Sequence, residues 1–598
     1  MSADTDADKV PSTEMQQLER TDTPNTSADD AGPGAAPTTD GGVPLGYFTS
    51  RIFLGTYSAV ACSVMAGVGP FSLAAPLLTA INADIGPSKD IAWVGYVYNL
   101  VLACTLCLVG RLSDIFGRRW FFILGNFLAL IGCIVCATAK SVPTLIGGMT
   151  ILSLGVSTQI SFQYVLGELV PIGKRFLVMS TIFPWTVPLG GFAPVISTAL
   201  QANTALKWRW CFWICAIVNV VSTLLYFFFY HPPTFKRIIS GNAHKTKLQA
   251  LRELDWVGIF LFAAGFFVFL LGLNWGGNAY AWNSVPVLVS VLVGAAMLVA
   301  FWAWEMYARL TLPFVPLHLF RNGRWVAMML CLAVGAMQYY AFALVWPKMV
   351  TGLWPEKVAG GNKLGWSLLL TGFGLQVGQI CGSFIANFVN QRYLLLASTT
   401  LATALLGAAS CATQYNMWTV LGVMIPGFLA IGVQEAVSGT FCTIALKNQK
   451  EIGVGGGVAA TTRSGLSVLG SVIYSAIITN RLNKTIPALV PPAATAAGLP
   501  ASSVAALIAY LKGTTKTTAG IVGVTPDILS AATIAYRDAN AQAYQTVMLT
   551  TIAFGGISMI CAWFTPSIDK EKAHIVSTVL EKEGKDSGNN KVVGEEEV

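Results

Sequence analysis

Apolar residues along the chain gather into fourteen stretches separated by polar or charged clusters. The stretches run near 53–80, 91–109, 121–139, 143–165, 176–200, 210–230, 256–274, 285–304, 325–346, 366–388, 393–412, 418–446, 454–479 and 544–564. A helix needs about 20 mostly apolar residues to cross a bilayer, so each stretch predicts one crossing. The longest, 418–446, has room for a tilt or a break. The boundaries at Pro143 and between 388 and 393 rest on short interruptions of the pattern.

The polar segments complete the plan. Residues 1–50 are rich in Ser, Thr, Asp, Pro and Gly and predict a disordered tail without a signal peptide. Residues 566–598 predict a second polar tail. The connection 480–543 is long, and its apolar spacing over 502–512 and 526–545 predicts short capping helices. Asn483-Lys484-Thr485 is a glycosylation sequon in that connection. Asn25-Thr26-Ser27 is another, in a tail expected to lie in the cytoplasm.

Basic residues orient the spans. With the N-terminus in the cytoplasm, the six inner loops carry sixteen Lys and Arg, and the six short outer loops carry seven. An even number of spans then returns the C-terminus to the cytoplasm. Tryptophans such as Trp93, Trp120, Trp256, Trp304 and Trp563 cluster at span ends, where an indole ring meets both lipid and water.

Composition agrees. Apolar types make up 54% of the 598 residues and charged types only 11%, against about 25% charged in soluble domains. The net charge of +8 comes from loop arginines and lysines, so it reads as membrane topology rather than nucleic-acid binding. The twelve cysteines fall within apolar spans and read as packing residues. All four histidines fall in segments expected to be cytoplasmic, which argues against an intramembrane His relay. There is no G-x-x-x-x-G-K-[ST] loop, which argues against direct ATP drive. No cofactor or enzymatic activity is expected.

Charges inside the spans stand out, because each costs about 2.5–3.5 kcal/mol at mid-bilayer on insertion scales. Glu435 lies eleven residues before the inner end of the twelfth stretch, and Arg463 about nine residues into the thirteenth. At 1.5 Å per residue both sit about 14–17 Å deep, so antiparallel neighbours bring them together. They form either a coupling or substrate-charge site or a structural ion pair. Polar residues at mid-depth, Asn99, Asn126, Gln159, Gln163, Gln338, Gln376, Gln379 and Asn387, are candidate cavity lining. Gln159 and Gln163, and Gln376 and Gln379, are one turn apart on a regular helix. Trp185, between Pro184 and Pro188, is a candidate aromatic wall. Gly374, Gly378 and Gly382 predict close helix packing.

The loop Gly110-Arg111-Leu112-Ser113-Asp114-Ile115-Phe116-Gly117-Arg118-Arg119 has two glycines suited to a tight reversal. Its Asp114 can pair with the arginines or sit at a helix N-terminus. This run resembles the signature loop of the major facilitator superfamily, G-x-L-a-D-r-x-G-r-[RK], with seven of ten positions agreeing closely. Trp208-Arg209-Trp210, Leu254-Asp255-Trp256-Val257-Gly258 and Leu312-Pro313-Phe314-Val315-Pro316-Leu317 resemble fourteen-span members. Gly167-Glu168-Leu169-Val170-Pro171 with Arg175 is similar to fungal trichothecene efflux pumps and siderophore–iron transporters. Two features depart from the proton antiporters of the superfamily. Ile151 stands where they often carry an arginine. Pro184, Pro188, Gly190, Gly191 and Pro194 only partly keep their G-x-x-x-G-P-x-x-G-G pattern.

The resemblance implies an all-α major facilitator fold of fourteen helices arranged 6 + 2 + 6. Six-helix bundles over 51–230 and 325–565 flank two inserted helices within 231–324. It also implies a loop at Gly110, Asp114, Gly117, Arg118 and Arg119 that helps lock and release the halves. The expected activity is proton-driven efflux of toxic or hydrophobic small molecules by a monomer at a fungal plasma membrane. The bet on coupling falls on Glu435, with Arg463 setting its charge. A siderophore–iron importer is the alternative within transport, and a membrane nutrient sensor the alternative outside it.

Overall fold

A computed structural model of the chain describes residues 47–231, 252–276, 280–308, 310, 313–446, 452–512 and 521–565, with a two-residue ladder of Thr38–Thr39 on Val43–Pro44. Most of both predicted tails, the Asn25 sequon, His244, His574 and the side chain of Asp114 lie outside the described residues. Fourteen helices among the described residues are long and apolar enough to cross a membrane. They are α1 (Arg51–Ile85), α2 (Asp90–Ser113), α3 (Arg118–Ala137), α4 (Val142–Gly167), α5 (Ile172–Asn203), α6 (Arg209–Phe229) and α7 (Trp256–Leu273). The rest are α8 (Val285–Tyr307), α9 (Gly323–Leu353), α10 (Lys363–Ile385), α11 (Gln391–Cys411), α12 (Met417–Ile444), α13 (Ile452–Ala496) and α14 (Pro526–Ala562). Each apolar stretch of the sequence falls on one of them. The face on which α1 begins and α14 ends is called the terminal face below, and the other the far face.

Local chemistry sets the ends. The first-turn N–H groups of a helix have no partner within it, and a preceding side chain supplies one. Ser50 Oγ accepts from Phe53 N–H (3.1 Å) at α1, and Asp255 Oδ1 from Gly258 N–H (2.8 Å) at α7. At α4, Ser141 is the cap and Pro143 sits in the first turn, where its missing N–H removes no bond. Asn390 caps α11 from the boundary near 390. In α5, Pro184 and Pro188 remove backbone donors. The helix tightens to a 3₁₀ turn at Phe183–Thr186 and widens to a π turn at Val187–Gly191.

The helices assemble as two bundles and a pair. In the first bundle α1 packs on α6, α3 on α4 and α6, and α2 on α4. In the second, α9 packs on α12, α13 and α14, while α10 and α11 pack on α12. The bundles meet through α2 against α13 and α5 against α10. The α10–α12 contact is close. A methyl on Gly378 would collide with the Leu429 carbonyl, and one on Gly374 would sit 2.9 Å from Phe428 Cβ. In lipid such backbone proximity gains dispersion contact where no water is released. The pair α7–α8 lies against α2 and α13 and is the least buried, with 22% and 17% of its apolar windows inside the protein. Glu305 of α8 accepts the Val315 N–H (2.9 Å), and Arg111 donates to the Pro313 carbonyl (2.7 Å). The linker before α9 is thereby tied to both.

The connection 480–543 differs from its prediction as a loop with short caps. Helix α13 continues unbroken for 45 residues to Ala496, and α14 starts at Pro526. Forty-five residues span about 68 Å, more than twice the hydrocarbon thickness of about 30 Å. The extensions enclose a small core of their own, with Ile486, Val490, Leu507, Ile528 and Ala532 buried. A hydropathy window stops at the membrane surface, but apolar spacing that continues beyond it serves helix pairing. One short helix, Val504–Leu511, joins that core. Asn483 is exposed on the α13 extension, and the Thr485 hydroxyl of its sequon donates to the Ala539 carbonyl (3.0 Å). All twelve cysteines are unpaired, and nine are buried.

Candidate functional site

Helices α12 and α13 run antiparallel, and Glu435 of one meets Arg463 of the other. Arg463 Nη2 donates to both Glu435 oxygens, at 3.1 and 3.2 Å. Gln379 of α10 donates to Glu435 Oε2 at 3.0 Å. The ring of Tyr340, from α9, lies 5.5 Å from the guanidinium carbon. Glu435 is 2% exposed and the Arg463 side chain 17%. A carboxylate so buried persists as an anion only if charge and hydrogen bonds replace water. Here one cation and one amide do so.

These groups line a narrow central cavity of about 80 Å³, to which both bundles contribute. The second bundle supplies Tyr339, Tyr340, Gln376, Gln379, Glu435 and Arg463. The first supplies Phe71, Ser72, Gln163 and Thr186. Thr186 Oγ1 donates to Gln376 Oε1 across the bundle boundary at 2.6 Å. Gln163 faces α12, where a Cβ on Gly439 would stand 2.9 Å from its Nε2. The walls are mainly aromatic and aliphatic, with amides and hydroxyls spaced among them and one ion pair.

The other proposed lining residues divide. Gln376 and Gln379 both reach the cavity, but Gln159 does not. Its Nε2 donates to Asn126 Oδ1 (2.9 Å) and to Asn219 Oδ1 inside the first bundle. The one-turn argument for Gln159 and Gln163 fails because α4 breaks at Ser161, between helical segments Val142–Ile160 and Phe162–Leu169. Asn99 and Gln338 are buried but absent from the lining. Asn387 bonds back to its own helix at the Ser383 carbonyl (2.9 Å). Trp185 is corrected outright. It is 43% exposed and lines a shallow groove on the outer surface with Met65, Pro184, Pro188, Leu189, Ile214 and Val218. The 3₁₀ turn, with three residues per turn, directs Thr186 inward and Trp185 outward.

Contacts between the bundles lie at both rims. On the far face, Asn362 donates to the Val195 carbonyl (2.9 Å), and Thr198 donates to Asn362 Oδ1. Towards the terminal face, the Cys107 N–H of α2 donates to Thr461 of α13 (3.0 Å), and Arg175 Nη1 to the Thr443 carbonyl of α12 (3.0 Å). Gly110 is pressed against the Gly453 carbonyl so closely that any side chain would collide. Gly117 turns the chain between α2 and α3 at φ +93°, a conformation open to glycine. Arg119 faces α6, donating to the Phe227 carbonyl (2.6 Å), and Arg118 is half-buried.

The sequence model of the fungal trichothecene efflux pump family matches residues 19–594. The chain belongs to that family. It is 28% identical over 540 residues to the trichothecene efflux pump TRI12 of Trichoderma arundinaceum, covering 88% of each chain. Identity to the pump of that name from Fusarium sporotrichioides is 26% over 532 residues, again 88% of each. Identity to the MFS-type transporter prx5 of Penicillium rubens is 27%, over 86% of this chain and 90% of that one. Among solved structures, the human organic anion transporter MFSD10 superposes with a TM-score of 0.52 at 11% identity, over 86% of this chain and 100% of that chain. That likeness shows the major facilitator fold.

Three residues of this family member's site escape sequence reasoning. Tyr340 and Thr186 carry no signal in apolar runs. Arg175 reads as a loop charge, although it is 1% exposed and joins the bundles. Its placement four residues after Pro171, beside a segment similar to fungal carriers, is the available hint.

Proposed function

We propose that this efflux transporter expels trichothecene-like or other hydrophobic, oxygen-bearing toxic molecules in exchange for protons. It works as a monomer in a fungal plasma membrane, with both termini in the cytoplasm. The observation that carries the reading is the Glu435–Arg463 pair, exposed to the central cavity rather than sealed within one bundle. An apolar, aromatic wall suits a hydrophobic skeleton, and the scattered amides and hydroxyls suit its oxygens.

Protonation of Glu435 removes the negative partner of Arg463 and weakens the bond from Nη2. The freed guanidinium swings towards Tyr340 and into the space that the substrate fills, so protonation from outside favours release. Loss of the proton to the cytoplasm restores the pair and reopens the cavity to substrate, so proton and substrate alternate. The two bundles rock around the cavity. The joints α2–α13 and α5–α10 are the contacts that must part in turn. Gly110 and Asp114 at the end of α2, Gly117 in the turn, and Arg118 and Arg119 at the start of α3 are suited to lock and release the terminal-face joint.

The test is accumulation in cells lacking their own carriers, given a labelled trichothecene and a labelled ferric siderophore in parallel. Export predicts lower toxin retention that recovers when the proton gradient is collapsed. Iron–siderophore uptake would replace this reading with import. Glu435→Gln is expected to abolish the pH dependence of efflux, and normal pH dependence in that folded variant removes Glu435 from coupling.

A further inference from the structure

Behind α13, on the side away from Arg463, lies a second cavity of about 200 Å³. It is bounded by α7 and α8, by Cys107 of α2 and by the linker before α9. Aromatic rings dominate its wall: Phe262, Phe266 and Phe269 from α7, Phe301 and Trp302 from α8, and Phe320. From α13 it takes Thr461, Gly465 and Leu469, opposite the face that carries Arg463. Protein interiors hold few voids larger than a water molecule, and an apolar void stays dry and accepts apolar guests.

The wall offers little with which to recognise a polar ligand. Thr461 Oγ1 accepts the Cys107 N–H (3.0 Å), Thr462 Oγ1 donates to the Val458 carbonyl (2.9 Å), and beyond these the polar groups of the lining are the Trp302 indole and the Cys107 thiol. A guest bearing oxygens would leave water bonds unreplaced at each polar group buried without a partner. A plain hydrocarbon would leave none. The cavity also adjoins the lipid side, because Trp302 in its wall is 39% exposed. Neighbouring Phe267 and Val299 face outward at 42% and 69%. Its wall is therefore continuous with the surface that meets the bilayer.

We propose that this cavity holds one phospholipid acyl chain, inserted from the bilayer between the α7–α8 pair and α13. The chain rests against the back of the helix that carries Arg463 and against the α2–α13 joint. Occupancy then biases the parting of that joint, a consequence that rests on the rocking mechanism proposed above. Binding itself does not rest on it.

The test uses the full-length protein in phosphatidylcholine vesicles containing a phosphatidylcholine with a diazirine at mid-chain, photolysed and mapped by mass spectrometry. Adducts are expected within 262–270 and 461–469, beside those at outward residues such as Phe127. Leu469→Trp should lower adducts within 262–270 about tenfold, the loss that follows about 1.4 kcal/mol of weakened binding, with Phe127 labelling retained. Leu270→Trp should do the same within 461–469 and serves where the first variant folds poorly. Adducts confined to outward residues overturn the proposal, as does labelling that persists in both variants. Competition by an excess of a trichothecene would also overturn it, because the site would then accept an oxygenated solute.

Discussion

Two buried polar clusters, taken one from each bundle, are built on different terms. In the first bundle Ser63, Asn126, Gln159 and Asn219 join α1, α3, α4 and α6, all 0–1% exposed. Every member is neutral, and none lines the central cavity. In the second bundle Glu435, Arg463 and Gln379 join α12, α13 and α10, carry formal charge and face the cavity. Neutral amides in lipid gain modestly by bonding between helices and respond little to pH. A buried ion pair is a weak source of net stability but costs much when one partner goes. The first cluster fastens helices. The second is the one that altering a single charge would upset, which is why the proposed coupling rests on it.

The largest expected effect tests that contrast directly. Glu435→Leu strands Arg463 and should destabilise the folded protein by about 3–5 kcal/mol, read as a lower unfolding temperature in detergent. Adding Arg463→Leu should restore most of that stability without restoring pH-dependent efflux. If the double variant transports normally, the pair is only a structural element and the contrast falls. Gln159→Leu, in the neutral cluster, removes two interhelical bonds worth about 0.6 kcal/mol each on average. It should lower the unfolding temperature slightly and leave the pH profile of efflux unchanged. A shifted profile would mean that the neutral cluster also takes part in coupling.

Thr186→Val deletes the bond to Gln376 that crosses between the bundles. Its expected cost is about 0.6 kcal/mol, seen as a change in the ratio of accessibility labelling at the two faces rather than in stability. The smallest effect belongs to the exposed pair on the far face, Glu356 with Arg537 (2.7 Å). The Arg537 hydrogen bond holds the Glu356 carboxyl below its ordinary range. The stability it lends is present above the ordinary carboxylate range and fades as pH falls through the lowered value. Glu356→Gln should remove only a salt-sensitive part of acid stability and leave efflux intact.

Much of this molecule is legible along the chain. The bilayer demands long apolar runs, so hydropathy alone locates fourteen helices, and the energetic penalty of a buried charge singles out Glu435 and Arg463. Antiparallel neighbours at equal depth imply that the two meet, and they do. Side-chain direction is not legible wherever the helix departs from 3.6 residues per turn. The break at Ser161 parts Gln159 from Gln163, and the 3₁₀ turn at Phe183–Thr186 sends Trp185 outward and Thr186 inward. Nor can hydropathy follow α13 past the membrane surface, where pairing with α14 replaces lipid as the reason to stay helical. By itself the sequence determined how many helices there are, where they cross the bilayer and that Glu435 and Arg463 lie at matching depth, because those follow from local transfer energies and helix rise. Only the tertiary structure decided which polar groups share the cavity, which close into a private network, and that Arg175 joins the bundles. Those outcomes depend on helix rotation and on partners far away in the chain, and local composition does not encode either.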